Sequence, residues 1–207
     1  MSMMPATIRT TVHLVDDDVH VLTALKRLLC SVGHTVQQHF SAEDFLDRHD
    51  PDAPGCAILD VGLPGMDGFA VQRALGTASS ERPIIFLTGC GDIPSSVRAM
   101  KAGAVDFLTK PIEAPALLAA VSLALKKDAE NRQAGELRKC VVQRLQSLTP
   151  REREVFTCVV AGRLNKQIAA ELGTVEKTIK VHRGRMMEKM CVRTVADLVR
   201  LSAIAGP

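Results

Sequence analysis

The chain carries near its start the stretch TVHLVDDD, residues 11–18, in which a short apolar run ends in three aspartates. Apolar residues then recur at helical spacing over residues 19–32, and Gly33 ends that segment. A strand followed by an amphipathic helix is the repeating unit of parallel α/β sheets. The stretch therefore predicts a βα unit with carboxylates at the carboxyl end of its strand.

The same unit recurs along the first half of the chain. Further strands are predicted at residues 35–40, 56–59, 83–87 and 106–109, and further helices at 68–75, 93–102 and 115–127, with Ser41 capping another. Strands that are apolar along their length are buried on both faces, as in doubly wound sheets. We therefore expect an α/β domain over residues 11–127, with a five-stranded, parallel, doubly wound sheet of the flavodoxin-like type.

The pattern from Thr149 onward is entirely helical. The sequence TPRE, residues 149–152, supplies an N-cap Thr, a Pro at the first helical position and a Glu at the third. Further helices are predicted at 166–172 and 175–189, with Asn165 and Thr174 as their N-caps, and at 195–204. The turn at residues 172–174 makes two of them a helix-turn-helix. We expect an all-α, four-helix domain over residues 147–207.

The segment between the two predicted domains, residues 128–146, has one Gly and no Pro. Such a composition favours a helix over a flexible tether. An apolar stripe runs along this segment and just beyond it, at Leu137, Val141, Leu145 and Leu148. The stripe could continue the last helix of the first domain or pack on a partner chain. We predict a helical linker.

The net charge of +3 conceals an asymmetry between the two parts. Residues 1–125 hold nine Lys and Arg against fourteen Asp and Glu, a net charge of −5, whereas residues 126–207 hold seventeen against nine, a net charge of +8. The basic part is a candidate for nucleic-acid binding. Because the chain has no Trp or Tyr, base stacking on aromatic platforms is disfavoured. Duplex DNA read by a helix fits better than a single strand.

Composition excludes several classes of protein. With 46% hydrophobic and 24% charged residues, a packed core is feasible and disorder is not expected. No apolar run approaches the ~18 residues of a membrane span, and residues 1–11 lack the apolar core of a signal peptide. The six cysteines are scattered, with no C-x-x-C pair. We therefore expect a cytoplasmic protein with reduced thiols and no membrane partner.

Polar side chains follow four of the predicted strands, at Asp16 and Asp17, Asp60, Thr88 and Lys110. Ligands of doubly wound sheets bind outside the carboxyl ends of the strands. Three neighbouring carboxylates need a cation to stay ionised, and Mg²⁺ is a hard cation that takes oxygen ligands. The set suits phosphoryl transfer, in which Asp60 would become an aspartyl-phosphate while Lys110 and Thr88 contact phosphoryl oxygens.

Four stretches resemble bacterial receiver domains: VDDD at 15–18, ILDVGLPGMDG at 58–68, FLTG at 86–89 and AMKAGAVDFLTKP at 99–111. The tract GDIP at 91–94 is similar to the FixJ subgroup. The resemblance covers residues 11–127. It implies that Asp60 is the phosphoacceptor, which a sensor histidine kinase phosphorylates.

The receiver resemblance also implies a metal site and a switch. Mg²⁺ would be bound by Asp17, the Asp60 carboxylate and the Gly62 carbonyl, with Asp16 acting partly through water. Lys110–Pro111 would be a cis peptide, and Thr88 with Phe107 would form the switch pair. Two positions depart from the common pattern: Gly62 has no side chain where many relatives have a polar one, and Cys90 stands where FixJ-like proteins often have His.

Three further stretches resemble LuxR/FixJ-type DNA-binding domains: LTPREREV at 148–155, NKQIA at 165–169 and TIKVHR at 178–183. By this resemblance, which covers residues 147–206, the helix at 175–189 enters the major groove. The residues expected to approach base edges are Lys180, Val181, His182 and Arg183 or Gly184, while Lys166, Lys177 and Arg185 meet phosphates and Thr178 belongs to the same DNA-binding face. The apolar face of the helix at 195–204 is used for dimerisation in relatives and could equally be core.

Together these features predict a two-component response regulator of the NarL/FixJ-like family. It would accept a phosphoryl group from a sensor histidine kinase and regulate transcription through duplex DNA, as a phosphorylation-promoted homodimer that works with RNA polymerase. We expect no enzymatic activity beyond Mg²⁺-dependent self-phosphorylation and autodephosphorylation.

Two alternatives come from other classes. A phosphatase with an aspartyl nucleophile typically has Asp-x-Asp after the first strand, whereas here the acceptor follows the third strand as Asp60-Val61-Gly62, and the length leaves no room for a cap domain. A helix-turn-helix protein could instead sense something other than phosphate through its first domain. The complete set Asp17, Asp60, Thr88 and Lys110 argues against that alternative.

Overall fold

The computed structural model describes residues 10–77, 82–89 and 93–205. Cys90 and the first half of the GDIP tract therefore lie outside the described residues. Contacts divide the chain into two compact units, with the division after Asn131. Among the described residues, no helix is long and apolar enough to cross a membrane.

The first unit is built on a five-stranded sheet in which every neighbouring pair of strands is parallel. The strands are β1 Thr11–Val15, β2 Thr35–His39, β3 Gly55–Asp60, β4 Ile84–Thr88 and β5 Asp106–Thr109, in the order β2-β1-β3-β4-β5. The helices are α1 Val19–Ser31, α2 Ala42–Arg48, α3 Gly68–Thr77, α4 Ile93–Lys101 and α5 Ala114–Gln146. This order confirms the predicted doubly wound fold, with its switch point between β1 and β3.

Helices cover both faces of the sheet, and this explains why β3 and β4 are buried along their whole length. One apolar cluster joins α1 and α5 to one face, and a second cluster joins α2, α3 and α4 to the other face. Alternate residues of β3 pack into the two clusters, with Ile58 in the first and Leu59 in the second. The sheet is thus a rigid base for the side chains at its carboxyl edge.

A buried pair of histidines lies within the first unit. His13 Nδ1 and His39 Nε2 are 3.1 Å apart and share a hydrogen bond, and the two rings stack with their centroids 5.4 Å apart. His39 also contacts Asp44, with 3.1 Å between Nδ1 and Oδ2. Burial, assisted by the nearby Arg82, lowers the pKa of His13 to about 3, so this ring is neutral at neutral pH.

The second unit contains the last turns of α5 and four further helices. These are α6 Pro150–Val160, α7 Asn165–Glu171, α8 Glu176–Lys189 and α9 Val195–Ala205. Their core includes Val155, Ile168, Ile179, Met186 and Leu198. The predicted apolar stripe joins this core from Val141 onward, whereas Leu137 is 46% exposed.

The predicted cap of α6 is confirmed, whereas the predicted caps of α7 and α8 are wrong by one residue. Thr149 and Glu152 form a reciprocal capping box. The N-cap of α7 is Leu164, because Asn165 is already helical and its side-chain oxygen accepts a hydrogen bond from Arg183. The N-cap of α8 is Val175, because the Thr174 N–H donates to the Ala169 carbonyl and closes the preceding helix.

Candidate functional site

A compact charge cluster forms at the carboxyl edge of the sheet. Asp16 follows β1, Asp60 ends β3 and Lys110 follows β5. The Lys110 ammonium donates to Asp16 Oδ2 at 2.6 Å and lies 2.9 Å from Asp60 Oδ1. Both aspartates are buried, with exposed fractions of 1% and 7%. The fold therefore joins three side chains that are up to 94 residues apart in sequence, at the switch point of the sheet.

Backbone groups hold the two carboxylates in place. The Gly62 N–H donates to Asp60 Oδ2 at 2.7 Å, and the Asp18 N–H donates to Asp16 Oδ1 at 2.9 Å. Gly68 begins α3 directly against the end of β3: a Cβ at this position would lie 2.7 Å from the Asp60 carbonyl oxygen. The absence of a side chain at Gly68 therefore allows α3 to start close behind the cluster.

The charges of the cluster do not balance. Burial raises the pKa of Asp16, although Lys110 and the Asp18 N–H act in the opposite direction. Burial alone would lower the pKa of Lys110, but its hydrogen bonds to Asp16 and Asp60 raise the pKa overall. Two carboxylates thus share one ammonium group, and Asp17, the residue after Asp16, is exposed to solvent.

The donor chemistry of this cluster fits a hard divalent cation. Oxygen ligands and an excess of negative charge are the features that Mg²⁺ prefers. Among the residues that the structure describes, no three carboxylate, imidazole or thiol groups are arranged to ligate a metal ion as they stand. Asp16 and Asp60 instead direct one oxygen each toward Lys110.

Thr88 and Phe107 lie on β4 and β5, the two strands that follow β3 in the sheet order. Thr88 ends β4 and is buried, and its carbonyl accepts a hydrogen bond from the Lys110 N–H at 2.7 Å. Phe107 is half-buried on β5 and pairs in register with Phe86, with ring centroids 6.3 Å apart. The predicted cis peptide at Lys110–Pro111 is confirmed.

The second unit presents a basic face on α7 and α8. α8 packs on the core of the second unit through its buried residues Ile179 and Met186. Of the predicted DNA-binding residues, Lys166, Lys177, Lys180, Val181 and Arg185 are exposed, and Thr178, His182 and Arg183 are half-buried. Exposed cations beside an exposed aliphatic residue on one helix are compatible with a DNA-facing surface.

Two of these side chains have partners within the unit. Arg183 Nη1 donates to Asn165 Oδ1 at 2.8 Å and so ties α8 to the start of α7. Lys180 forms an exposed ion pair with Glu176, one turn earlier, at 3.3 Å. Sequence reasoning missed the first contact because it placed Asn165 in a cap.

A further set of contacts fastens the end of α5 to the helix-turn-helix. Lys189 donates to the Ser147 carbonyl at 3.1 Å and to Glu152 Oε2 at 2.6 Å, and Arg144 donates to the Met190 carbonyl at 3.1 Å. The Lys189 contact and the Thr149 N–H lower the pKa of the buried Glu152 to about 2. Two of the three acceptors are backbone carbonyls, which have no sequence signature, so the sequence could not predict these contacts.

Comparisons with known proteins agree with this architecture. Residues 12–122 match the response regulator receiver domain, and residues 146–202 match the bacterial regulatory proteins of the luxR family. Nodulation protein W of Bradyrhizobium diazoefficiens is 43% identical over 97% of this chain and 88% of its own. The transcriptional regulatory protein FixJ of Azorhizobium caulinodans is 41% identical over 94% and 92% of the two chains.

Solved structures give the same result. The response regulator StyR is 46% identical over 94% of this chain and 98% of its own, with a TM-score of 0.81. Receiver domains generally bind Mg²⁺ for phosphorylation and imply a histidine kinase partner, whereas luxR-type domains imply DNA binding. Response regulators of this kind are generally transcription factors rather than enzymes. The chain therefore belongs to the response regulator family, as a receiver domain joined to a LuxR-type helix-turn-helix domain.

Proposed function

We propose that Asp60 accepts the phosphoryl group from a sensor histidine kinase and that phosphorylation controls the binding of α7 and α8 to duplex DNA. The observation that carries the proposal is the shared ammonium group: Lys110 lies 2.9 Å from Asp60 Oδ1 and so stands where a phosphoryl oxygen would need neutralisation. The Gly62 N–H fixes the other carboxylate oxygen. A fixed, buried carboxylate next to a cation is suited to accept a phosphoryl group.

Each residue of the cluster has a distinct part in this reaction. Asp60 acts as the nucleophile, Lys110 pairs with a phosphoryl oxygen, and the Thr88 hydroxyl donates to another. Asp17, the Asp60 carboxylate and the Gly62 carbonyl would hold Mg²⁺, with Asp16 acting partly through water. When bound, the cation would neutralise charge that develops on the transferred phosphoryl group.

The same cluster supports self-phosphorylation and autodephosphorylation as its only reactions. Gly62 is exposed and has no side chain, so this chain has no polar group there to position or exclude a water molecule. Thr88 and Phe107 are the proposed switch pair, in which Phe107 turns inward as Thr88 moves toward the phosphoryl group. Both lie on strands adjacent in the sheet, which favours direct coupling.

On the DNA side, we propose that Lys180, Val181 and His182 approach base edges, and that Lys166, Lys177 and Arg185 contact phosphates. Thr178 lies on the flank of the same face. Arg183 contacts the DNA while it remains hydrogen-bonded to Asn165. That hydrogen bond helps to fix the orientation of α8 on α7. Phosphate contacts position the protein, and base contacts supply specificity.

We propose that the active form is a homodimer that acts with RNA polymerase in the cytoplasm, where the DNA and the phosphodonor meet. The proposed domain limits are 11–127 for the receiver, 128–146 for the linker and 147–207 for the DNA-binding domain. Asp128 supports the receiver from just beyond its limit, because its Oδ2 accepts from the Gly55 N–H at 2.9 Å.

Intact-mass measurement after incubation with Mg²⁺ and acetyl phosphate tests the acceptor. We expect the wild-type protein to gain one phosphoryl group and Asp60→Asn to gain none, because an amide cannot form an acyl phosphate. Asp67→Asn, which changes an exposed aspartate in the next loop, is the matched control and should react like the wild type. Phosphoryl uptake by Asp60→Asn would contradict the assignment.

A further inference from the structure

Gly184 lies in the interior of the helix that we propose enters DNA. It stands within α8, which spans fourteen residues from Glu176 to Lys189. A glycine in a helix interior destabilises the helix relative to alanine, because glycine loses more backbone freedom on folding. Some feature outside helix propensity must therefore account for a glycine at this position.

The protein itself does not require that glycine. A Cβ built on Gly184 would meet no heavy atom within 4 Å, whereas a Cβ on Gly68 would lie 2.7 Å from a carbonyl oxygen. Gly184 is also absent from the glycines with positive φ among the described residues. Neither intramolecular packing nor backbone conformation explains the missing side chain.

The face on which Gly184 lies is exposed and partly apolar. Helix geometry places Gly184 about 140° around the axis from the buried Ile179. Val181, one turn earlier on the same side, is 48% exposed. Together these two residues form a strip of aliphatic side chain and bare backbone, which we call the 181–184 strip.

Cations border the 181–184 strip. Lys177 precedes it by one turn, Lys180 and Arg185 flank it, and all three are exposed. Two acidic residues of α8 are also exposed: Glu176 is paired with Lys180, and Glu188 lies near the end of the helix. The major groove has a complementary pattern, with phosphates along its edges and the thymine methyl as the apolar group on the base edges.

We propose that Gly184 is a specificity-determining residue: it lets the backbone of α8 approach the base edges, so that the 181–184 strip contacts a thymine methyl group. The assignment rests on the DNA binding proposed above. A side chain at position 184 holds the helix away from the groove floor and removes that contact, while the flanking cations still reach the phosphates.

Selection and affinity measurements with the full chain test this assignment. The wild-type protein, treated with acetyl phosphate and Mg²⁺, is used to enrich binding sites from a pool of random-sequence duplex DNA. Affinities of the wild type, Gly184→Ala and Gly184→Leu are then measured on the enriched duplex and on a scrambled duplex. Gly135→Ala is the matched control, because Gly135 is also inside a helix and a Cβ there also meets nothing within 4 Å.

We expect Gly184→Ala to melt at a higher temperature than the wild type, yet to bind the enriched duplex at least fivefold more weakly, and Gly184→Leu to bind it more weakly still. Binding to the scrambled duplex stays unchanged, and Gly135→Ala melts higher with both affinities intact. Replacing one thymine of the enriched duplex by uracil, which removes the methyl group, weakens wild-type binding severalfold and has little effect on Gly184→Leu.

Several results would overturn the assignment. If Gly184→Leu binds the enriched duplex as tightly as the wild type, or loses equal affinity on both duplexes, position 184 has no part in sequence reading. If replacing each thymine of the enriched duplex in turn by uracil leaves the wild-type affinity unchanged, the methyl contact is excluded. A pool without any enriched sequence contradicts the proposed DNA binding as well, which separates that failure from failure of the assignment alone.

Discussion

The Lys110 side chain dominates the electrostatics of the charge cluster, because two buried carboxylates share its one ammonium group. Conversion of Asp60 into an acyl phosphate places more negative charge next to the same ammonium group. We propose that Lys110 then turns from Asp16 toward the phosphoryl oxygens. Because Lys110 follows β5 and its N–H donates to the carbonyl of Thr88 at the end of β4, this movement would reach both strands.

At the same scale, the buried His13 predicts a specific sensitivity to acid. Its folded-state pKa of about 3 lies below the ordinary value of 6.5, so the unfolded chain binds more protons between those two values. The stabilising contribution is fully present above pH 6.5 and is lost as the pH falls toward 3. One extra proton in the unfolded state corresponds to about 1.4 kcal/mol per pH unit.

Urea unfolding measured between pH 7 and pH 4 checks this expectation, with amide NMR signals of β1 and β3 reporting on the receiver. We expect His13→Gln to reduce the pH dependence of the free energy of unfolding by about 1.4 kcal/mol per pH unit below pH 6. A variant curve parallel to the wild-type curve would assign the acid sensitivity to another group.

The sequence predicted the acceptor cluster but not the histidine pair. Asp16, Asp60 and Lys110 could be placed together because the carboxyl ends of parallel strands share one edge of a sheet. The contact between His13 and His39 depends on the register of β1 and β2, which pairs His13 with Gln37 and leaves His39 opposite Val15. Residue alternation alone does not give that register.

At the scale of elements, the start of α6 is the best-defined helix terminus of the second unit. Thr149 and Glu152 satisfy each other's backbone N–H groups, and Lys189 reaches Glu152 from the end of α8. Glu152 therefore connects α6 to α8 as well as completing the cap of α6. By contrast, the N-cap residues of α7 and α8 are Leu164 and Val175, whose side chains make no cap hydrogen bond.

Glu152→Gln should destabilise the DNA-binding unit. Glutamine can still complete the capping box, but it loses the charge-assisted hydrogen bond from Lys189, which is typically worth about 1.5–3 kcal/mol. Because the folded-state pKa of Glu152 is about 2, against 4.5 ordinarily, the difference from the wild type is present above pH 4.5 and disappears as the pH falls toward 2.

Thermal unfolding of the two proteins at several pH values measures this difference. Glu154→Gln is a suitable control, because its ion pair with Arg151 is on the surface and typically contributes less than about 1 kcal/mol. Equal destabilisation by the two substitutions would show that the contact between Glu152 and Lys189 contributes no more to stability than a surface ion pair.

Helix termini also show where sequence reasoning fails. Thr149 was found because Thr, Pro and Glu follow the ordinary N-terminal pattern. Asn165 and Thr174 are good N-cap residues, yet both make other hydrogen bonds: the Asn165 side chain accepts from Arg183 of α8, and the Thr174 N–H donates to the Ala169 carbonyl at the end of α7. A tertiary contact thus competes with the cap preference at Asn165, and the termination of the preceding helix does so at Thr174.

At the scale of the whole molecule, one phosphoryl group can control DNA binding only if two states of the receiver bind it with different affinity. We expect the states to differ on the face formed by α4, β5 and the receiver part of α5, because Thr88 ends β4 and Lys110 follows β5. Exposed aliphatic side chains are present on this face, at Val97 and Met100 of α4 and at Leu123 of α5. A second receiver can cover them.

Dimerisation through this face would raise DNA affinity without any new contact to DNA. Two basic domains brought together can engage two half-sites one helical turn apart, about 10 base pairs. The second domain then binds at a high effective concentration. In such a dimer, the helical segment 128–146, which is part of α5, would connect each receiver to its own DNA-binding domain.

Sedimentation velocity with and without the phosphate mimic beryllofluoride and Mg²⁺ tests this mechanism. We expect a monomer at rest and a dimer with the mimic bound, and we expect Met100→Glu to stay monomeric because a carboxylate would be buried in the interface. Leu137→Glu, which changes an exposed residue of α5 beyond the receiver, is the control and should dimerise. A protein that stays monomeric with beryllofluoride bound, yet binds its operator more tightly, would exclude dimerisation as the switch. The same phosphoryl group would then act within a single chain, by releasing a DNA-binding face that the resting state covers.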